Sequence, residues 1–359
     1  MTFPRRAGLP ALALLTLAAA LAPARAAAQT ASAASKQQSP NGKIIFQSTQ
    51  GGDGIANDIY VMDADGKRQT RLTDSTNDDA SPVWSPQGDR VAFVSDRRGS
   101  YEIFLMNADG GNQRPLRGGS PVNGFNFVWS PDGTRLAYPS GGDVYVVEVV
   151  APGGGDSTAA PVNISSGKPA GSLDIEPSWA PGGGRLVVRN STNCPGCSDL
   201  YTLNADGSGR TQITFAVGAE ANPRWSPVGQ QIAYENLNGA RDLYVVNADG
   251  TGAVKVSGDV GSFGPAAWAP DGTRLAFVSG IGGNAYAANA DGSGLTQLSD
   301  LHASGSVFWS PDCAKVAFHN DNGTFVDIYV VNADGSRKAS NYTKTRRDDE
   351  SSSSWQKVQ

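Results

Sequence analysis

Residues 225–250 read WSPVGQQIAYENLNGARDLYVVNADG, and the parts of this stretch recur along almost the whole chain. All seven tryptophans occupy one recurring position, at 84, 129, 179, 225, 268, 309 and 355. Their spacings are 45, 50, 46, 43, 41 and 46 residues. Ser-Pro follows Trp84, Trp129, Trp225 and Trp309, and Ala-Pro follows Trp179 and Trp268. A turn and a short apolar run come next, as in SPDGTRLAY (130–138) and APDGTRLAFVS (269–279). Then comes a second run closed by Ala-Asp-Gly, as in DIYVMDADG (58–66), EIFLMNADG (102–110) and DIYVVNADG (327–335). A third short run follows, such as RQTRLT (68–73), and a polar loop leads to the next tryptophan.

Each unit thus predicts four short strands joined by turns. Pro-Asp-Gly suits a type I turn, with Pro setting φ and Gly taking the left-handed position. Asn-Ala-Asp-Gly closes a short hairpin in the same way. One unit departs: DVYVVEVVAPGGGDS (143–157) carries a Gly-rich insertion in place of the tight turn. The strands are apolar on both faces: Val91 and Phe93 on one, Ala92 and Val94 on the other. A sheet wet on one side would alternate apolar with polar residues. Burial on both sides means small sheets sandwiched between neighbours, which is the arrangement of a propeller. The tryptophan then reads as a packing anchor between blades.

The repeat count closes on itself. If the tryptophan strand is A, then GKIIFQS (42–48) is a strand B with no tryptophan before it, and Trp355 is a strand A with nothing after it. Pairing the two completes a seventh blade and removes the exposed edges. The expectation is an all-β, seven-bladed β-propeller of four-stranded blades over 43–359, closed by pairing N-terminal strands with the C-terminal strand.

The Trp-Ser-Pro-Asp-Gly…Asp-Ile-Tyr-Val-…-Asn-Ala-Asp-Gly pattern resembles the TolB-like, WD40-like β-propeller repeat family. The resemblance covers 43–359. It implies the propeller fold and a binding role at the cell envelope, like that of the family's periplasmic namesake. The namesake also has an N-terminal α/β domain, whereas only a short Ala/Ser/Gln-rich linker, 29–42, is expected here. The namesake's partners and binding residues are therefore not carried over.

The N-terminus reads as an export signal over 1–28. Arg5 and Arg6 precede an apolar stretch, Ala11 to Leu21, and small residues allow cleavage after Ala28. That stretch is short for a membrane span. Export of this kind places the protein in the periplasm or outside the cell. Its removal leaves 26 basic against 34 acidic residues, a net charge of −8. Such a balance excludes nucleic acid as a natural partner. In an oxidising compartment Cys194 and Cys197 predict a local disulfide, and Cys313 is left over.

Two faces follow from the topology. A–B and C–D turns share one end and are nearly identical. B–C and D–A loops share the other end and are irregular, so binding residues are expected there. Candidate binding residues are the loop acids Asp78, Asp79, Asp174, Glu176, Glu220, Asp348, Asp349 and Glu350, read as a negative rim at the channel mouth. His302 and His319, near Asp300 and Asp321, are the candidate metal pair. No cofactor is predicted, although the acidic rim leaves room for a divalent cation at the channel mouth. No nucleophile elbow, catalytic triad context or phosphate loop is present. The chain reads as a monomeric module that binds a protein or peptide, with carbohydrate as a further ligand class. The alternative is a hydrolase or lyase acting on carbohydrate or peptide in the central channel.

Overall fold

The computed structural model describes residues 41–50, 56–116, 126–149, 160–191, 196–215, 218–280, 283–344 and 349–357. The expected signal segment, most of the linker and most of the Gly-rich insertion lie outside these residues. The described residues form seven four-stranded antiparallel sheets. No helix among them is long and apolar enough to cross a membrane.

Blade 1 is shared by the chain's two ends. Its strand A is Glu350–Lys357, followed in space by Asn41–Ser48, Asp58–Met62 and Thr70–Arg71. Blades 2 to 7 begin with strands A at Asp79–Trp84, Val128–Trp129, Leu173–Trp179, Glu220–Trp225, Ala267–Trp268 and Ala303–Trp309. Each continues outward through B, C and D in chain order. Closure is explicit: Ile44 pairs with Trp355 and Ser48 with Glu350. The Trp355 Nε1 donates to the Gly42 carbonyl at 3.2 Å. Across the neighbouring seam, Asn41 Nδ2 donates to Asp312 Oδ2 at 2.8 Å.

Strands B and C are buried on both faces, as the two-sided apolar pattern requires; Val91 to Val94 are all fully enclosed. Each hydrophobic cluster joins two adjacent blades. Ile45, Ile59 and Val61 of blade 1 meet Trp84, Val91, Phe93 and Phe104 of blade 2. No blade could bury these faces alone. Strands A of neighbouring blades lie against one another, so strand A is innermost. Strands D pair for only two residues each, half-buried or exposed, because nothing packs outside them.

The tryptophans are inter-blade anchors. Trp129 Nε1 donates to the Val83 carbonyl at 3.3 Å, and Trp179 Nε1 to Val128 at 3.3 Å. Trp268 and Trp309 likewise reach the Arg224 and Ala267 carbonyls at 2.9 and 3.0 Å. These four indoles pack their rings in a seam and satisfy their N–H on the preceding blade, whereas Trp225 bonds Gly229 of its own blade and Trp84 Nε1 has no partner. The turn after it needs a left-handed residue: Gly133 has φ +67°, and a Cβ there would meet Gln87. In blade 7 that position is Cys313, held at φ 59°.

Candidate functional site: the loop end of the channel

Strand A carries the local feature that shapes the loop end. Its register with strand B slips in blades 1, 2, 4, 5 and 7. A residue with positive φ marks the slip: Ser352, Ser81, Glu176, Asn222 and Gly305 respectively. The bulge turns backbone N–H groups away from the ladder. Ser81 N then donates across the seam to Gln47 Oε1 at 2.8 Å, and Asn222 N to Glu176 Oε2 at 2.6 Å.

The expected rim of exposed carboxylates is not what the loop acids form. Asp79, Asp174, Glu220 and Glu350 begin strand A and are fully buried. Asp79 takes two bonds from Arg97 Nη2, at 2.8 and 2.9 Å. Asp174 takes two from Arg210, at 2.7 and 2.8 Å, and one from Asn190 at 2.7 Å. Glu350 accepts from Ser48 Oγ at 3.2 Å. Asp78 accepts from the Asn57 amide, the Asn57 side chain and the Tyr101 hydroxyl. Asp349 is exposed and accepts from the Val326 amide at 3.0 Å. Asp348 lies outside the described residues. The buried acids Asp79, Asp174 and Glu350 tie the start of strand A to its surroundings, so their charge is spent inside the fold.

Glu220 differs from Asp79 and Asp174 in having no cation among the described residues. Thr214 Oγ1 donates to Oε2 at 3.2 Å, and Oε1 has no hydrogen-bond partner. Burial and the neighbouring Asp199 carboxyl push its pKa up to about 7. In blades 2 and 4 the equivalent acid is neutralised by an arginine.

The two histidines face opposite seams. His302 is exposed, and its ring lies over Gly283 of blade 6. His319 is buried, with Nε2 2.9 Å from Ser353 Oγ of blade 1. Burial lowers its pKa to about 4. Among the described residues no three His, Cys, Asp or Glu side chains come together as metal ligands. This donor set does not fit a histidine-based metal centre. Cys197 is disulfide-bonded and Cys194 lies outside the described residues; Cys313 is a free thiol.

A different group of residues converges on the inner strands of blades 4 to 6. Arg189 Nη1 donates to Glu176 Oε1 at 3.0 Å, and Asn222 Nδ2 to Glu235 Oε2 at 2.7 Å. Arg224, half-buried, donates Nη1 to the Pro223 carbonyl at 3.0 Å. Arg241 stacks over Phe263, 5.0 Å from the ring centroid. Buried polar atoms without a partner gather here: Arg189 Nε, Glu235 Oε1 and Ser262 Oγ, with Asn190 Oδ1, Arg210 Nε and Glu220 Oε1 close by in the same blades. Burial raises the Glu235 pKa, opposed by Asn222, Ser262, Arg241 and the Gly264 amide. Ser262 stands close enough to favour the ionised form, yet no bond of sound geometry reaches Oε1. Burial lowers the Arg224 pKa, opposed by Glu176 and Glu235.

Strand A of blade 6 pairs for only two residues, as does that of blade 3. Phe215 and Phe263 stand 76% and 50% exposed on the adjoining D–A loops. Sequence reasoning by residue class missed this cluster. The signal was positional and partial: Arg189 and Glu235 sit where blades 2, 3 and 6 have Val94, Pro139 and Val278 but blades 1 and 7 have Gln47 and His319, and Arg224 is the one charged residue among those that precede the tryptophans.

Fold and site define a closed seven-bladed propeller with a regular turn end and a polar, partly unsatisfied loop end. The chain belongs to the TolB β-propeller family, whose domain matches residues 6–151 and 128–358. A TolB homolog from Chlorobium luteolum is 31% identical over 150 residues, 41% of this chain and 31% of that protein. The match thus spans about a third of that relative's length. TolB from Acinetobacter baumannii superposes with a TM-score of 0.56 at 14% identity, covering 88% of this chain and 66% of that one. An oligogalacturonate lyase solved in complex with manganese gives 0.61 at 17% identity, covering 83% and 84%. Both superpositions share the fold with this chain.

Proposed function

We propose that this chain is an exported envelope module that binds a protein partner through the loop end of blades 4 to 6. The observation that carries the reading is the asymmetry of the ring. Among the described residues, six of the eight buried side-chain polar atoms without a partner lie in blades 4 to 6. Such atoms each disfavour the free state by about 1–3 kcal/mol, and a ligand that satisfies them recovers that energy. Exposed Phe215 and Phe263 beside them supply aromatic anchors of the kind interfaces use. The family supports the envelope setting, since relatives include a Tol-Pal system protein TolB from Desulfosudis oleivorans. The N-terminal segment supports export, and sequencing of the protein from an envelope fraction is expected to begin at Gln29.

The test is crosslinking capture from envelope extract with three forms of the chain. Phe215→Asp with Phe263→Asp is expected to lose the partner captured by the wild type. Val228→Asp, on the exposed turn at the other end of blade 5, is expected to retain it. Loss with Val228→Asp alone, or no specific partner at all, overturns the proposal. Turnover of an oligogalacturonate or a peptide amide by the wild type would favour the enzyme reading instead.

A further inference from the structure

We propose that Arg224 anchors a terminal carboxylate, so that the recognition end takes the free C-terminus of a partner polypeptide. The inference rests on the protein-binding reading above and names the chemistry of its central contact.

The residue before each tryptophan belongs to the innermost strand. In chain order these residues are Val83, Val128, Ser178, Arg224, Ala267, Phe308 and Ser354. One of the seven is charged. A guanidinium has five N–H donors, and Arg224 makes a single hydrogen bond among the described residues, to the neighbouring Pro223 carbonyl. It forms no ion pair there. The two nearest carboxyls are otherwise engaged. Glu176 is taken up by Arg189 at 3.0 Å and by the Asn222 amide at 2.6 Å. Glu235 accepts from Asn222 at 2.7 Å, and its burial disfavours the anion. Arg224 is therefore a half-buried cation with no ion pair among the described residues, and donors that no neighbouring group takes up. A carboxylate held by two parallel N–H bonds matches such a guanidinium.

Peptide is favoured over an acidic polysaccharide. One guanidinium matches one carboxylate, whereas a polyuronide carries a charge on every sugar and meets a chain of net charge −5. The companions of Arg224 on the inner strands, Val83, Ala267 and Phe308, are apolar and half-buried, and Phe263 is exposed nearby. Such surroundings suit the apolar side chain of a terminal residue.

The test uses the immobilised full chain and two random hexapeptide libraries, one with free C-termini and one C-terminally amidated, read by mass spectrometry. The free-acid library is expected to be captured at least tenfold better, with enrichment of apolar terminal residues. Arg224→Gln should abolish that preference, and Arg224→Lys should keep part of it. Thermal melts check that both variants fold, and the wild-type comparison of the two libraries decides even if Arg224→Gln does not. Equal capture of both libraries, or capture of neither, overturns the proposal, as does Arg224-dependent binding of trigalacturonate in place of peptides. If both libraries bind equally and Phe263→Asp loses both, the carboxylate anchor falls while the binding face stands.

Discussion

Arg135 lays its guanidinium over the ring of Trp179, 4.8 Å from the centroid, and donates through Nη2 to the Gly183 carbonyl at 2.6 Å. The arginine belongs to strand B of blade 3, and both of its contacts belong to blade 4. The device repeats. Arg90 lies 5.2 Å over Trp129 and bonds Gly133 at 2.9 Å. Arg274 lies 4.7 Å over Trp309 and bonds Cys313 at 3.0 Å. The Arg of the Pro-Asp-Gly-Thr-Arg turn is thus a clasp between blades, which explains why the turn end of the ring is so regular.

Arg135→Ala is expected to destabilise the ring by about 1–3 kcal/mol, the sum of a cation–π contact and a charge-assisted hydrogen bond. Arg135→Lys should recover only part, because an ammonium cannot stack and bond in one plane. Urea unfolding of the full chain measures both. A variant as stable as the wild type would show that the clasp adds nothing to packing.

The clasp also shows why some of the molecule was legible in its sequence. Tryptophan, turn glycine and turn arginine lie within about ten residues of each other in blades 2, 3, 4 and 6, so their spacing exposes the blade directly. The loop acids were legible as acids but not as buried groups. Asp79 meets an arginine 18 residues away and Asp174 one 36 residues away, a separation set by the strand register. The channel cluster was harder still. Arg189, Arg224 and Glu235 stand on three strands of two blades. Each is visible only as a charge at positions that the other blades fill with uncharged or apolar residues or with His319, and only once strand A is known to be innermost.

His319 makes a test of the metal question. Its pKa is lowered from 6.5 to about 4 by burial, so the ring stays neutral at pH 6. A folded-state pKa below the unfolded one gives stability that is present above pH 6.5 and lost as pH falls towards 4. The loss is expected to be about 2–3 kcal/mol across that window. His319→Gln should flatten this part of the profile. Addition of manganese or zinc should not raise the melting temperature of the wild type. A metal-dependent rise removed by His319→Gln would overturn the reading of two separate histidines.

Closure depends on one short strand. Trp355 is buried between blades 1 and 7, against Ile44, Phe46 and Val330, with Phe308 at its edge 6.2 Å away. Trp355→Ala is expected to cost about 3–5 kcal/mol, as for other large core aromatics. Removal of 350–359 should cost more, since it uncovers the edge of Asn41–Ser48 and invites pairing with another chain. Denaturant unfolding and light scattering follow the two effects. A truncated chain that remains monomeric and equally stable would mean that the shared blade is dispensable.

Glu220 makes the opposite pH test from His319. Its folded pKa of about 7 stands above the model-peptide value of 4.5, because the carboxyl is buried beside Asp199 with no cation. The folded state therefore holds a proton that the unfolded state has already lost. Stability from this group is intact below pH 4.5, falls as pH rises through 7, and then levels off. Glu220→Gln keeps the shape and removes the ionisation, so it should be nearly neutral at pH 5. At pH 8.5 it should stabilise by about 1–3 kcal/mol, the lower figure applying if solvent screens the pair. Glu220→Gln combined with Asp199→Asn should add little, because removing one carboxyl already ends the repulsion. Melting curves of the three forms at pH 5, 7 and 8.5 decide it. A Glu220→Gln effect that does not grow with pH would place a cation beside this carboxyl and end the argument that Glu220 keeps its proton at the seam between blades 4 and 5.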